Sequence, residues 1–146
     1  GQPGNGWAQV ISELGYERSG PERFLSAFRV LVEYSRELSS DASDDQLSVL
    51  GRLVAHLITL RRMSISVAGM LENGETPITE AALIKDVGNA YERLVPEVVR
   101  LSQTRNPSAR FLETLNQCVL HAPSFTLRGG TREILKGVIA RGLGLR

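Results

Sequence analysis

The residues best suited to chemistry lie near the end of the chain, where Gly129, Gly130 and Thr131 lead into Ile134, Leu135, Val138, Ile139 and Leu143, spaced as one stripe of a helix. A Gly-Gly-Thr lead-in leaves the first backbone N–H groups of that helix uncovered at the positive end of its dipole, which is a place for an anion. On geometry alone the same three residues read first as a glycine loop with a threonine N-cap. No other pattern supplies a reaction by itself. There is no Ser/His/Asp arrangement, no Walker-type phosphate loop and no metal spacing, and His56 and His121 stand alone, each suited to a core or surface role. A single cysteine, Cys118, allows neither a disulfide framework nor a cluster of soft metal ligands.

Helices must position these residues. The first is predicted over 7–38 through Val10, Ile11, Leu14, Phe24, Leu25, Phe28, Leu31 and Val32, with Gly20-Pro21 interrupting it. Pro21 presses on the carbonyl four residues earlier, that of Glu17, so the tilt is expected there. After a polar break over 39–45, a second helix runs over 44–73 with Leu47, Leu50, Val54, Leu57, Ile58, Ile65, Ala68 and Leu71 on its buried side, closed by Asn73-Gly74. A third opens with Thr76 as cap and Pro77 in the first turn and reaches Gln103, with Pro96 as a kink and Gly88 admitting a close neighbour. Asn106-Pro107 repeats the device for a fourth helix through Phe111, Leu112, Leu115, Val119 and Leu120 to Pro123. The terminal helix is the fifth. No stretch alternates between apolar and polar residues, so the expected fold is all-α, an antiparallel four-helix bundle plus a C-terminal fifth helix.

Composition narrows the class. With 146 residues, 42% of them hydrophobic, the chain builds one core. Seventeen basic residues against sixteen acidic give a net charge of +1, which provides no field for nucleic acid. Fifteen of the basic residues are arginine, which suits fixed recognition of phosphate or carboxylate, or reflects only a GC-rich genome. No apolar run reaches membrane-spanning length and no signal-peptide layout is present, so neither a membrane nor a secretory route is expected and the default location is cytoplasmic. Residues 1–6 read as a linker, and residues 7–146 as a domain of a longer chain.

Gly129-Gly130-Thr131-Arg132-Glu133-Ile134, followed by Ile139-Ala140-Arg141 and Leu143, closely resembles the C-terminal signature of flavin-dependent acyl-CoA dehydrogenases. Asn5-Gly6-Trp7 leading to Leu14-Gly15-Tyr16-Glu17-Arg18 is similar to that family's passage from its β-domain into the first helix of the C-terminal bundle, and Ala81-Ala82-Leu83-Ile84-Lys85 to its Ala-Lys-containing helix. The resemblance implies that residues 1–6 link an upstream β-domain to the bundle. It also implies an enzyme that removes the α-proton of an acyl-CoA thioester with a carboxylate while the β-hydrogen leaves as hydride to FAD. In most members the glutamate precedes the Gly-Thr of the last helix, a place occupied here by Gly129. In isovaleryl- and long-chain-type members it comes from the first bundle helix in a Leu-x-x-Glu-Arg context, which Leu14 to Arg18 match, so Glu17 is the implied base.

By the same likeness Arg18 and Gly129 flank the substrate, Arg141 reaches the CoA phosphates, and Gly130, Thr131 and Glu133 bind FAD. The simpler alternatives are a solvated Glu17 paired with a nearby arginine, and capping or surface roles for the others. Two loops depart from the family's pattern. Residues 39–45 replace an Arg-x-x-Phe-Gly loop, and residues 102–107 replace a Gly-Gly loop, both of which meet FAD in the family. Two functions follow as expectations. One is the C-terminal domain of such a dehydrogenase, active only in the full-length, oligomeric protein, with an electron-transfer acceptor protein as partner. The other is a non-catalytic or half-site partner subunit in a heteromeric enzyme acting on bulky, for instance steroid, CoA thioesters.

Overall fold

Gly20-Pro21 divides the predicted first helix outright. The computed structural model describes residues 2–38 and 42–145, and in it α1 spans Gly6–Ser19 and α2 spans Phe28–Glu37, with a single 3-10 turn at Pro21–Arg23 between them. Proline forces the preceding residue out of the helical region, and Gly20 is extended at φ −66° and ψ 152°. A continuous helix would have paired the Glu17 carbonyl with the N–H that Pro21 lacks. That carbonyl accepts instead from Arg23 Nε at 3.0 Å. The expected tilt at Glu17 is therefore a break at Gly20-Pro21, and the described residues form six α-helices rather than five.

The remaining helices are α3 (Asp44–Glu72), α4 (Ile78–Leu101), α5 (Ala109–Phe125) and α6 (Arg132–Gly142). Ser43 opens α3 with a reciprocal capping box: Gln46 N–H donates to Ser43 Oγ at 3.3 Å and Ser43 N–H to Gln46 Oε1 at 3.0 Å. Gly74, at φ +77°, closes it, with Glu75 N–H donating to Met70 O and Gly74 N–H to Leu71 O. Two predicted caps shift by a residue or two. Pro77, not Thr76, stands at the N-cap of α4 and no side chain caps it, while α5 is capped by Ser108, whose Oγ accepts from Phe111 N–H, rather than by Asn106. Both α4 and α5 run through their prolines, Pro96 and Pro123. Ser39, Ser40 and Asp41 of the predicted polar break lie outside the described residues.

All described elements are helical, as the fold class required, and α4 is the hub that packs against each of the other five helices. Its Ala81, Ile84, Tyr91, Val95 and Val99 meet Phe24, Val30, Leu31 and Tyr34 from the α1–α2 region, Val49, Leu53, Leu60 and Val67 from α3, and Phe111, Leu115 and Cys118 from α5. Gly88 is where the 3-10 turn comes closest: a Cβ there would lie 2.7 Å from the Arg23 carbonyl oxygen. Of the predicted face of α3, Leu50, Leu57 and Leu71 pack against the core, and the rest turns outward. Leu47, Val54, Ile58 and Ile65 are exposed, and Val49, Leu53, Leu60 and Val67 hold the core. The helix carries two apolar stripes, and spacing alone does not say which one turns inward. On α6 only Leu135 of the predicted stripe is fully buried, with Ile134 and Leu143 exposed.

Candidate functional site

Packing α1 and α6 against α4 brings residues 17 and 18 to the loop that leads into α6. Gly129 and Gly130 sit at φ +66° and +109°, conformations that L side chains rarely adopt. A Cβ on Gly129 would lie 3.3 Å from Glu17 Oε1 and 3.7 Å from Lys85 Cε. The Glu17 carboxylate therefore occupies the space in which a side chain at 129 would begin. Arg18, 8% exposed, donates from Nε to the Gly129 carbonyl at 2.9 Å and lies under Gly130, whose Cβ would stand 3.4 Å from Arg18 Nη2. Burial lowers the Arg18 pKa, and the charge of Glu17 opposes that shift.

The Glu17 side chain is 34% exposed and forms an ion pair with Arg23, whose backbone lies against Gly88. The 3-10 turn created by Pro21 thus supplies the cation that orients Glu17. Beneath lies a polar stripe of α4, Lys85, Asn89 and Glu92, each fully buried. Lys85 Nζ donates to Asn89 Oδ1 at 2.6 Å and to the Phe125 carbonyl at 3.3 Å. Burial drives the Lys85 pKa down to about 8, partly offset by the charge of Glu92. Glu92 accepts from the Ser26 N–H at 2.8 Å and from Arg128 at 3.1 Å, yet burial still raises its pKa. Asn89 Nδ2 and Arg128 Nε are buried with no hydrogen-bond partner among the described residues.

Glu17, Arg18, Gly129 and Gly130 are thus brought together. Thr131 takes the N-cap position of α6 without a side-chain cap to the backbone, and Glu133 is exposed in the first turn. The Glu133 carboxyl is held below the usual range by its own backbone N–H and the Thr131 hydroxyl. An anion already serves this helix start. Arg141 does not join the group: it is exposed in the last turn of α6, roughly 14 Å along the helix from its start. Sequence reasoning missed Arg23, Asn89, Glu92 and Arg128. The signal was present in Lys85, Asn89 and Glu92, spaced i, i+4, i+7 as a polar line within the apolar face of the helix.

The two loops that depart from the family's pattern meet in a cleft of about 640 Å³ lined by Ser43, Asp45, Gln46, Ser102, Thr104 and Arg105 among others. Its polar groups are largely committed to one another. Gln46 Nε2 donates to the Ser102 carbonyl at 3.1 Å, Tyr34 hydroxyl to Ser102 Oγ at 3.1 Å, and Ser102 Oγ to the Val98 carbonyl at 2.8 Å. Among the described lining residues Arg105 is the one cation and Asp45 opposes it, so these residues do not fit a pyrophosphate.

Among the described residues no group of three His, Cys, Asp or Glu side chains could hold a metal ion, and no helix is long and apolar enough to cross a membrane. Compared with known proteins, the chain matches no family model and no curated protein sequence.

Proposed function

We propose that this chain is the C-terminal helical domain of a flavin-dependent acyl-CoA dehydrogenase in which Glu17 removes the α-proton of an acyl-CoA thioester. What carries the reading is the 3.3 Å between Glu17 Oε1 and the Cβ position of Gly129: a carboxylate reaches one place either from the start of α6 or from the end of α1. The glycine at 129 and the glutamate at 17 are two halves of one exchange. Glu17 accepts the proton, the C–H electron pair moves into the thioester carbonyl, and Arg18 holds the Gly129 loop so that the carboxylate keeps its place. The hydride acceptor, together with the rest of the substrate wall and the contact with an electron-transfer protein, falls to residues outside this chain.

Glu17→Gln in the full-length protein is expected to keep the flavin absorbance bands and to reduce turnover of acyl-CoA by about 10²–10⁴-fold. Turnover at the wild-type rate would sink the assignment. A second reading has its own support in the Glu17–Arg23 ion pair and the cleft that does not fit a pyrophosphate: a non-catalytic or half-site partner subunit. It requires a colourless protein that is needed for the activity of another subunit and is indifferent to Glu17→Gln.

A further inference from the structure

Among the described residues, Arg23 is the one cation paired with two carboxylates. Its Nη2 donates to Glu17 Oε1, while its Nε donates to the Glu17 carbonyl at 3.0 Å and stands 3.8 Å from Glu22 Oε1. The Arg23 side chain is 11% exposed and that of Glu22 57%, so the cation is largely shielded from water and the second carboxylate is not. Gly20 makes room for Glu22: a Cβ there would lie 2.7 Å from Glu22 Cδ. The run Gly20-Pro21-Glu22-Arg23 thus breaks the helix, seats a carboxylate at the break and sets a guanidinium between that carboxylate and Glu17. The other cations beside Gly129 are engaged elsewhere, Arg18 with the Gly129 carbonyl and Lys85 with Asn89 and the Phe125 carbonyl.

Taking up a proton removes the charge of Glu17 and leaves that of Arg23 in place. A shielded cation that loses its counter-ion is costly unless a second carboxylate stands near. We propose that Glu22 is a positioning residue for proton abstraction by Glu17, the carboxylate to which Arg23 is handed as the base is neutralised. This rests on the reading of Glu17 as the base. In the step, the C–H bond breaks, its proton forms an O–H bond on Glu17 and its electron pair enters the thioester. The positive charge of Arg23 is balanced by Glu17 before the step and by Glu22 after it. The guanidinium need not travel, because its bond to the Glu17 carbonyl does not depend on the state of the carboxyl. Exposed Glu22 closes the remaining gap. Its charge also repels that of Glu17, so both effects favour the protonated base.

Loss of the α-proton from an acyl-CoA thioester in deuterated water, followed in the full-length protein, tests the handover. Glu22→Gln and Glu22→Lys change an exposed side chain and are expected to fold. At saturating thioester the rate should fall about two- to fivefold with glutamine and further with lysine, at unchanged KM. Screening should narrow the differences toward about 1 M salt, where the Debye length is about 3 Å. Equal rates for all three chains would overturn the proposal, as would equal losses in both variants that salt does not alter. Glu17→Gln in the same assay separates the two claims: if it is inactive, either of those results removes the role of Glu22 and leaves Glu17 as the base. Exchange at the wild-type rate in Glu17→Gln would end both.

Discussion

A buried lysine next to a carboxylate is the least ordinary residue in this chain. Lys85 is fully buried beneath Gly129, with its pKa at about 8 against an ordinary 10.5. Below pH 8 the folded and unfolded states both carry its proton. Between about 8 and 10.5 the unfolded chain binds more, so the contribution of Lys85 to stability rises with pH across that window. Denaturant unfolding of the wild type and Lys85→Met should show the wild type gaining on the variant by on the order of 2–3 kcal/mol from pH 8 to pH 10.5. A constant difference would contradict the account. Cys118 and Tyr91, pushed up by burial to about 11 and about 12, move stability the other way at high pH, and the comparison cancels them because both chains contain them.

At the scale of the element, the break at Gly20-Pro21 does more for the site than any single helix. It frees the Glu17 carbonyl, turns Arg23 back to meet it, and seats the turn on Gly88. Gly88→Ala tests that seat. Helix propensity favours alanine by about 1 kcal/mol, whereas a Cβ 2.7 Å from a backbone oxygen forces a shift costing about 1–3 kcal/mol. The melting temperature is therefore expected to fall, and a rise would mean that the turn moves freely. Capping gives a second check. Ser43→Ala should cost α3 about 1 kcal/mol, while Thr76→Ala should stay within about 0.5 kcal/mol because Thr76 caps nothing.

The sequence made these elements legible wherever a local rule decided them: the glycine at 74, the break at Pro21 and the close approach at Gly88 were all readable. It did not reveal that the break severs the helix, because a proline kink and a proline stop differ only in what the neighbouring chain offers the freed carbonyl. Nor did it reveal which stripe of α3 turns inward, since Leu47-Val54-Ile58-Ile65 and Val49-Leu53-Leu60-Val67 are equally apolar and the position of α4 settles the matter.

Taken whole, the described residues bring the end of α1 to the loop that leads into α6. The Arg18–Gly129 hydrogen bond joins residues 111 apart in sequence, and it exists because α1 and α6 both pack on α4. No spacing rule connects positions so distant, and the pairing of Glu17 with Gly129 was legible only through the likeness to a family that exchanges the two. Arg141, expected at the CoA phosphates rather than at the reacting carbon, lies at the far end of α6 from the group that forms. The exchange itself can be made in the laboratory. In the full-length protein, loss of the α-proton from an acyl-CoA thioester in deuterated water is measured for the wild type, for Glu17→Gly, and for Glu17→Gly combined with Gly129→Glu. A glutamate at φ +66° costs only about 1–2 kcal/mol, and removing Glu17 clears the space its Cβ needs. Glu17→Gly is expected to lose exchange by about 10²–10⁴-fold and the double variant to recover a measurable part of it. Exchange at the wild-type rate in Glu17→Gly would contradict the account.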